Sequence, residues 1–254
     1  MFGGVRMAAR RRAREEGEKP FWISFSDLMS ALMVLFLVAM SVALLAVTKK
    51  VSDDEREDKE RSEAIAVLME DIKKIVTQKE FEGIRVIGNT IDFGTRGTFA
   101  DKKNILSAPQ VDLLRQFTPQ LLDRLRTSEA GKKWFKRAVV EGYASRTGTY
   151  LYNLNLSLER SERVLCELLR ESNTGIPTLS ETDRKLIATK FFVGGASFNS
   201  LRSTDDDSRR IEFKIEFKTR QEKKSELVSP PKPVDEEGLS RALDPKERCP
   251  IQDR

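Results

Sequence analysis

The longest hydrophobic run in the chain is Phe21–Val47, FWISFSDLMSALMVLFLVAMSVALLAV, and Asp27 is its one ionisable side chain. As an α-helix rising 1.5 Å per residue it extends about 40 Å, more than the ~30 Å hydrocarbon core of a bilayer. Residues 21–47 therefore read as a transmembrane helix, too long for the apolar segment of a cleaved leader. Beyond it lies a charged linker, 48–80. Within that linker Ile65, Leu68, Ile72 and Ile75 recur at helical spacing among Glu63, Glu70, Asp71, Lys73 and Lys74. The stripe predicts an amphipathic helix that either packs on the following domain or forms a plug or dimerising stalk.

From residue 81 to 220 the pattern alternates between strand and helix periods. Ile84–Phe93, IRVIGNTIDF, predicts strand–turn–strand around Gly88-Asn89. Pro109–Arg126 predicts a helix with Val111, Leu114, Phe117, Leu121, Leu122 and Leu125 inward. Phe135–Tyr143 reads as a buried strand, and Asn153–Arg170 as a helix with Leu154, Leu158, Leu165 and Leu168 as its stripe. Phe191–Phe198 and Ile211–Phe217 complete the strands. The fold class expected is one N-terminal transmembrane helix followed by an α+β domain, β-α-β-α-β-β, with helices on one sheet face. Residues 221–254 form a Pro-containing tail, extended at Ser229-Pro230-Pro231-Lys232-Pro233.

Composition narrows the chemistry. Lys and Arg number 45 against 40 Asp and Glu, a net charge of +5, and there is no histidine. That excludes Ser-His-Asp and Cys-His catalysis and HExxH zinc sites; with two cysteines, a Cys₄ metal site within one chain is excluded too. No carboxylate pair can be placed, so neither enzyme activity nor a metal or cofactor is expected. The loop Gly94–Phe99, GTRGTF, lacks the GK[ST] of a phosphate loop. Basic residues alternate with acidic ones, so the positive charge does not build a nucleic-acid surface. The cluster Arg6, Arg10, Arg11, Arg12, Arg14 and Lys19 within residues 1–20 places the N-terminus in the cytoplasm and everything after Val47 across the membrane. Trp22 fits an interfacial anchor.

Asp27 stands out. An acidic side chain at the centre of a spanning helix costs about 2.5–3.5 kcal/mol on insertion scales, and such residues face a protein interior or an ion path. One helix cannot enclose such a path. Ser26, Ser30, Ala31, Ala39, Ser41 and Ala43 let other helices approach closely.

The run Phe25-Ser26-Asp27-Leu28-Met29-Ser30, with Trp22 upstream, resembles the transmembrane helix of MotB-type stator subunits. The resemblance implies that Asp27 carries the transported ion, H⁺ or Na⁺. Trp22 stands one residue closer to the aspartate than flagellar members have it. Residues 84–218 resemble the OmpA/MotB peptidoglycan-binding domain on Gly142-Tyr143-Ala144-Ser145, Asn153–Arg160 (NLNLSLER), Gly194-Gly195-Ala196-Ser197 and Ser208-Arg209-Arg210-Ile211. Carried over residue by residue, wall binding falls to Ser145, Tyr152, Asn153, Leu156, Arg160 and Arg210. Arg160 offers a planar fork for a diaminopimelate carboxylate, and Asn153 both donates and accepts. Ser145 departs from the family, which has Asp there to meet the ammonium. Loss of one charge-assisted bond costs about 1.5–3 kcal/mol.

Over the whole chain the pattern is more similar to MotB-like subunits of Zorya-type anti-phage systems than to flagellar ones. That resemblance implies a single-pass bacterial inner-membrane protein with a periplasmic C-terminal domain. It also implies two copies of this chain, five copies of a MotA/ZorA-like membrane partner, and peptidoglycan as the anchor. The alternatives are a flagellar stator subunit, or a passive wall tether with no use for Asp27. In an oxidising compartment Cys166 and Cys249 either pair or remain a buried thiol and an exposed tail thiol.

Overall fold

The computed structural model describes residues 19–171 and 176–254; the basic cluster Arg6–Arg14 lies outside the described residues. Helix α1 runs Lys19–Val76, and the chain divides into two compact units, Met1–Glu57 and Asp58–Arg254. In the first unit, α1 is the one described helix long and apolar enough to cross a membrane. Its apolar side chains, among them Leu32, Phe36 and Leu44, are exposed, as a bilayer-facing surface requires.

The second unit begins inside α1. Ile65, Leu68, Met69, Ile72 and Ile75 are buried in its core, which is the packing alternative for the amphipathic stripe. The unit continues with β1 (Arg85–Ile87), β2 (Thr90–Asp92), α2 (Ala108–Thr127), α3 (Glu129–Trp134) and β3 (Phe135–Gly142). After these come α4 (Tyr150–Leu169), α5 (Glu181–Lys190), β4 (Phe191–Gly195), α6 (Asp205–Ser208) and β5 (Ile211–Phe217). The strands form one sheet in the order β1-β2-β5-β3-β4, with β3 and β4 parallel and the other pairs antiparallel. Edge-to-face rings tie sheet to helices: Phe93 lies 4.8 Å from Phe213 and 5.5 Å from Phe117, which lies 5.4 Å from Phe81.

Two expectations about elements need correction. Strand β4 stops at Gly195 rather than Phe198, because Ser197 adopts φ of 51° and leaves the extended region. The expected leucine stripe of α4 holds only in its second half, where Leu168 is buried and Leu165 packs on the core; in the first half Asn153, Ser157, Arg160 and Ser161 are buried beside Leu156, while Leu158 is exposed and Leu154 half-buried. Glycine explains this choice of face. A Cβ on Gly142 would stand 2.0 Å from the Ser157 carbonyl oxygen, so α4 lies on β3 closer than any side chain would permit. At that distance short hydroxyls fit and leucines do not. Ser161 Oγ donates to the Gly194 carbonyl at 2.6 Å, and Ser157 Oγ accepts from Ser197 N–H at 3.0 Å.

The tail is more ordered than its composition predicts. Helix α7 (Arg220–Val228) carries a Thr219/Glu222 capping box, and Glu222 pairs with Lys136 at 2.6 Å. Residues 229–235 are irregular and exposed, as expected of the proline run. Helix α8 (Glu236–Ala242) then meets α5, where Ser240 Oγ donates to Glu181 at 3.0 Å. Beyond it the chain is tied to α4 by a disulfide between Cys166 and Cys249, with Cα atoms 5.8 Å apart.

Candidate functional site

In the first unit Asp27 is exposed on α1, one helical turn from Ser30 and Ala31. Ser30 returns its hydroxyl to the Ser26 carbonyl at 2.8 Å, which satisfies that hydroxyl within the helix. Trp22 and Phe25 meet edge to face at 6.5 Å just upstream. The carboxylate thus sits among small side chains on a helix surface that another helix can approach closely.

In the second unit the end of β3 and the start of α4 bring Ser145, Asn153, Leu156 and Arg160 together. Thr149 caps α4 by accepting from Tyr152 N–H, and Gly148, at φ of 105°, turns the chain into that cap. Asn153 Nδ2 donates to the Thr147 carbonyl at 3.1 Å, which fixes the connecting loop. Leu156 and Ser145 are buried, and Tyr152 is half-buried at the rim.

Arg160 is fully buried. Its Nε donates to the Lys103 carbonyl at 2.9 Å, Nη1 to Tyr143 at 2.7 Å and Nη2 to Ala100 at 3.3 Å; the guanidinium lies 5.0 Å from the Phe99 ring centre. Burial, with Arg209 nearby, lowers its pKa to about 10, so it stays protonated at neutral pH. This corrects the expectation of a free fork. The donors are committed to backbone carbonyls, and Arg160 positions the 100–103 loop against the chain leaving β3. Arg210 is internal as well: Nε donates to Glu212 at 2.7 Å, Nη1 to the Ser200 carbonyl at 3.0 Å, and the guanidinium lies 4.0 Å from the centre of the Tyr143 ring.

Arg210 belongs to a charge network that sequence reasoning missed. Asp92, almost wholly buried, accepts from Arg85 and Arg202, each at 2.8 Å, and from Gly94 N–H at 2.8 Å. Arg202 also reaches Glu212 at 2.9 Å, and Glu212 accepts from the Tyr143 hydroxyl at 3.2 Å. Burial pushes the Asp92 carboxyl upward, but Arg202, the Gly94 amide and Arg85 outweigh it and hold the pKa below the usual aspartate value. Burial and the neighbouring Glu141 and Glu212 push Tyr143 strongly upward. Asp92 ends the alternating strand IRVIGNTID, and a lone acidic residue at that position gave no signal in the pattern.

Nearby, Arg146 is exposed in the loop after β3, and Tyr152 and Glu159 are half-buried on α4. Glu159 is held by Asn155 Nδ2 at 2.7 Å and Asn104 Nδ2 at 3.0 Å. Neither Asn104 nor Glu159 was singled out from the sequence, although Glu159 lies within the NLNLSLER run.

No protein-family model matches the chain. Among solved structures, the periplasmic domain of Helicobacter pylori MotB is 10% identical, covering 58% of this chain and 88% of that one with a TM-score of 0.39. The OmpA-like domain of FopA1 from Francisella tularensis is 18% identical, covering 54% and 82%, with a TM-score of 0.34. The Zorya protein ZorB of Escherichia coli O139:H28 (strain E24377A / ETEC) is 38% identical over 237 residues, 91% of this chain and 95% of that protein. Identity at that level over nearly the whole of both sequences makes this chain a member of the ZorB family.

Proposed function

We propose that the protein is the ion-carrying and wall-anchoring subunit of an ion-driven stator in anti-phage defence. The observation that carries this reading is Asp27, the one ionisable side chain in an apolar helix otherwise suited to lipid. A carboxylate in that place is costly for a passive anchor and useful only where partner helices enclose it. Family membership supports a ring of ZorA-like membrane proteins as that partner, and five copies around two copies of this chain is the assembly we favour. Moving one charge through 100 mV releases about 2.3 kcal/mol, and this drives the cycle as Asp27 binds and gives up H⁺ or Na⁺. The chain crosses the inner membrane once with its N-terminus in the cytoplasm, and the second unit grips peptidoglycan from the periplasm.

The test replaces Asp27 with Asn and with Glu in cells that also make the ring-forming partner. Asn keeps size and removes the ionisable group; Glu keeps it. Phage protection lost in Asp27→Asn and partly retained in Asp27→Glu, at equal membrane abundance, is the expected result. Full protection by Asp27→Asn would make the protein a tether instead. Repeating the assay with Na⁺ replaced by K⁺ at constant pH distinguishes the ion.

A further inference from the structure

The strap that follows α8 runs along α4 and ends on the rim of the candidate wall site. Arg184 holds the Leu243 carbonyl at 3.0 Å, and Glu171 N–H donates to the Pro245 carbonyl at 2.6 Å. The Cys166–Cys249 disulfide follows, and then Arg163, itself buried, bonds to Asp253 at 2.5 Å. At Asn104 the contact changes in kind. Asn104 Nδ2 donates to the Gln252 carbonyl at 2.9 Å, and its Oδ1 accepts from Arg254 N–H at 3.1 Å. One amide thus bonds a carbonyl and the N–H two residues on, as a neighbouring strand would bond an extended backbone. The Arg254 guanidinium lies 3.1 Å from Glu159 Oε1 and 5.9 Å from the centre of the Tyr152 ring.

We propose that Asn104, Tyr152 and Glu159 form a clasp for an extended peptide bearing a cationic side chain, that residues 252–254 fill it from within the chain, and that a wall stem peptide displaces them. This rests on the wall-anchor reading above. Three features favour the wall peptide. Asn104 reads backbone rather than sequence; Glu159 is aligned in advance by Asn155 and Asn104; and Tyr152 borders a cation. Glu159, two turns of α4 beyond Tyr152, also offers a negative charge of the kind missing at Ser145. The disulfide keeps the internal occupant at high local concentration, so the strap lowers affinity for any outside peptide by the fraction of time it is seated.

The experiment uses the full chain in detergent micelles. Calorimetry measures binding of a soluble stem tripeptide ending in diaminopimelate, and pelleting measures binding to purified sacculi. Arg254→Ala removes the occupant's cation while leaving the disulfide and fold in place; it is expected to bind the tripeptide about fivefold or more tighter than wild type. In the Arg254→Ala background, Glu159→Gln is expected to weaken the tripeptide about tenfold. Sacculus binding with equal tripeptide affinity in wild type and Arg254→Ala would overturn the strap proposal alone. An unchanged affinity in Glu159→Gln would overturn the clasp. Equal affinity for a lysine-containing tripeptide of ordinary L-residues would overturn the wall ligand in favour of a basic protein segment. Failure of wild type and Arg254→Ala alike to bind sacculi or tripeptide would bring down the wall-anchor reading itself.

Discussion

Arg160 donates to the Tyr143 carbonyl at 2.7 Å across the junction between α4 and the end of β3. The bond is one of three to backbone carbonyls, so this arginine supports the candidate site from beneath. Removing it strands buried acceptors, each costing about 1–3 kcal/mol. Arg160→Ala is therefore expected to destabilise the second unit by about 3 kcal/mol or more in chemical denaturation. Arg160→Lys, with its single ammonium, should fall between. If Arg160→Ala retains wild-type stability and loses only sacculus binding, the arginine contacts ligand directly.

Asp92 supports a pH prediction. Its folded-state pKa lies below 3.8, so on acidification the unfolded chain takes up this proton first. The stability that Asp92 contributes is thus complete well above pH 3.8 and lost as pH falls through the lower folded-state value. Asp92→Asn should cost about 1–3 kcal/mol at pH 7, because it removes the ion partner of Arg85 and one of the two carboxylates that hold Arg202. It should also flatten the dependence of stability on pH between about 5 and 2. Denaturation midpoints across that range provide the check.

Gly142→Ala tests the close approach of α4 to β3. A methyl there meets the Ser157 carbonyl at 2.0 Å and Ser161 Oγ at 2.9 Å, and the backbone atom cannot swing aside. A loss of about 3 kcal/mol or failure to fold is expected, since overpacking of this kind displaces main chain. A melting temperature equal to wild type would show that the helix can lift off the strand freely.

Where sequence reading succeeded and failed follows from what a pattern can encode. The apolar helix was legible as one unbroken apolar run, β1 and β2 as apolar stretches on either side of Gly88-Asn89, and β3 and β5 as apolar runs whose later positions alternate between buried and half-buried. The first half of the α4 face was not, because Gly142 brings the helix so near that Ser157 and Ser161 take the contact in place of Leu154 and Leu158; Leu165 and Leu168, further along, were. Arg160 and Arg210 stood out in the sequence, but their internal hydrogen-bond partners did not. Arg160 and Arg210 satisfy internal acceptors, which depends on partners such as Lys103 and Ser200 that are distant in sequence. Asn104 gave no signal, since its partners Glu159, Gln252 and Arg254 all lie far from it in sequence.

The double substitution Cys166→Ser with Cys249→Ser removes a cross-link spanning 83 residues of sequence separation. Disulfides of this kind contribute about 2–4 kcal/mol through restriction of the unfolded chain. A reduced melting temperature is expected, with faster hydrogen exchange at the Glu171 and Arg254 amides. Unchanged exchange at both would show that Arg163, Arg184 and Asn104 hold the strap unaided.

The place of β5 in the sheet has a consequence for the order in which the protein is made. It lies between β2 and β3, yet it is the last strand in the chain, ending at Phe217. Until the ribosome has passed that point, β2 has no partner on its inner side and β3 has only β4. The stripe Ile65–Ile75, made more than a hundred residues earlier, has no completed core to enter. Contacts this distant in sequence form slowly. The second unit therefore emerges with its hydrophobic surface open, and its folding is a single late event rather than one that keeps pace with synthesis.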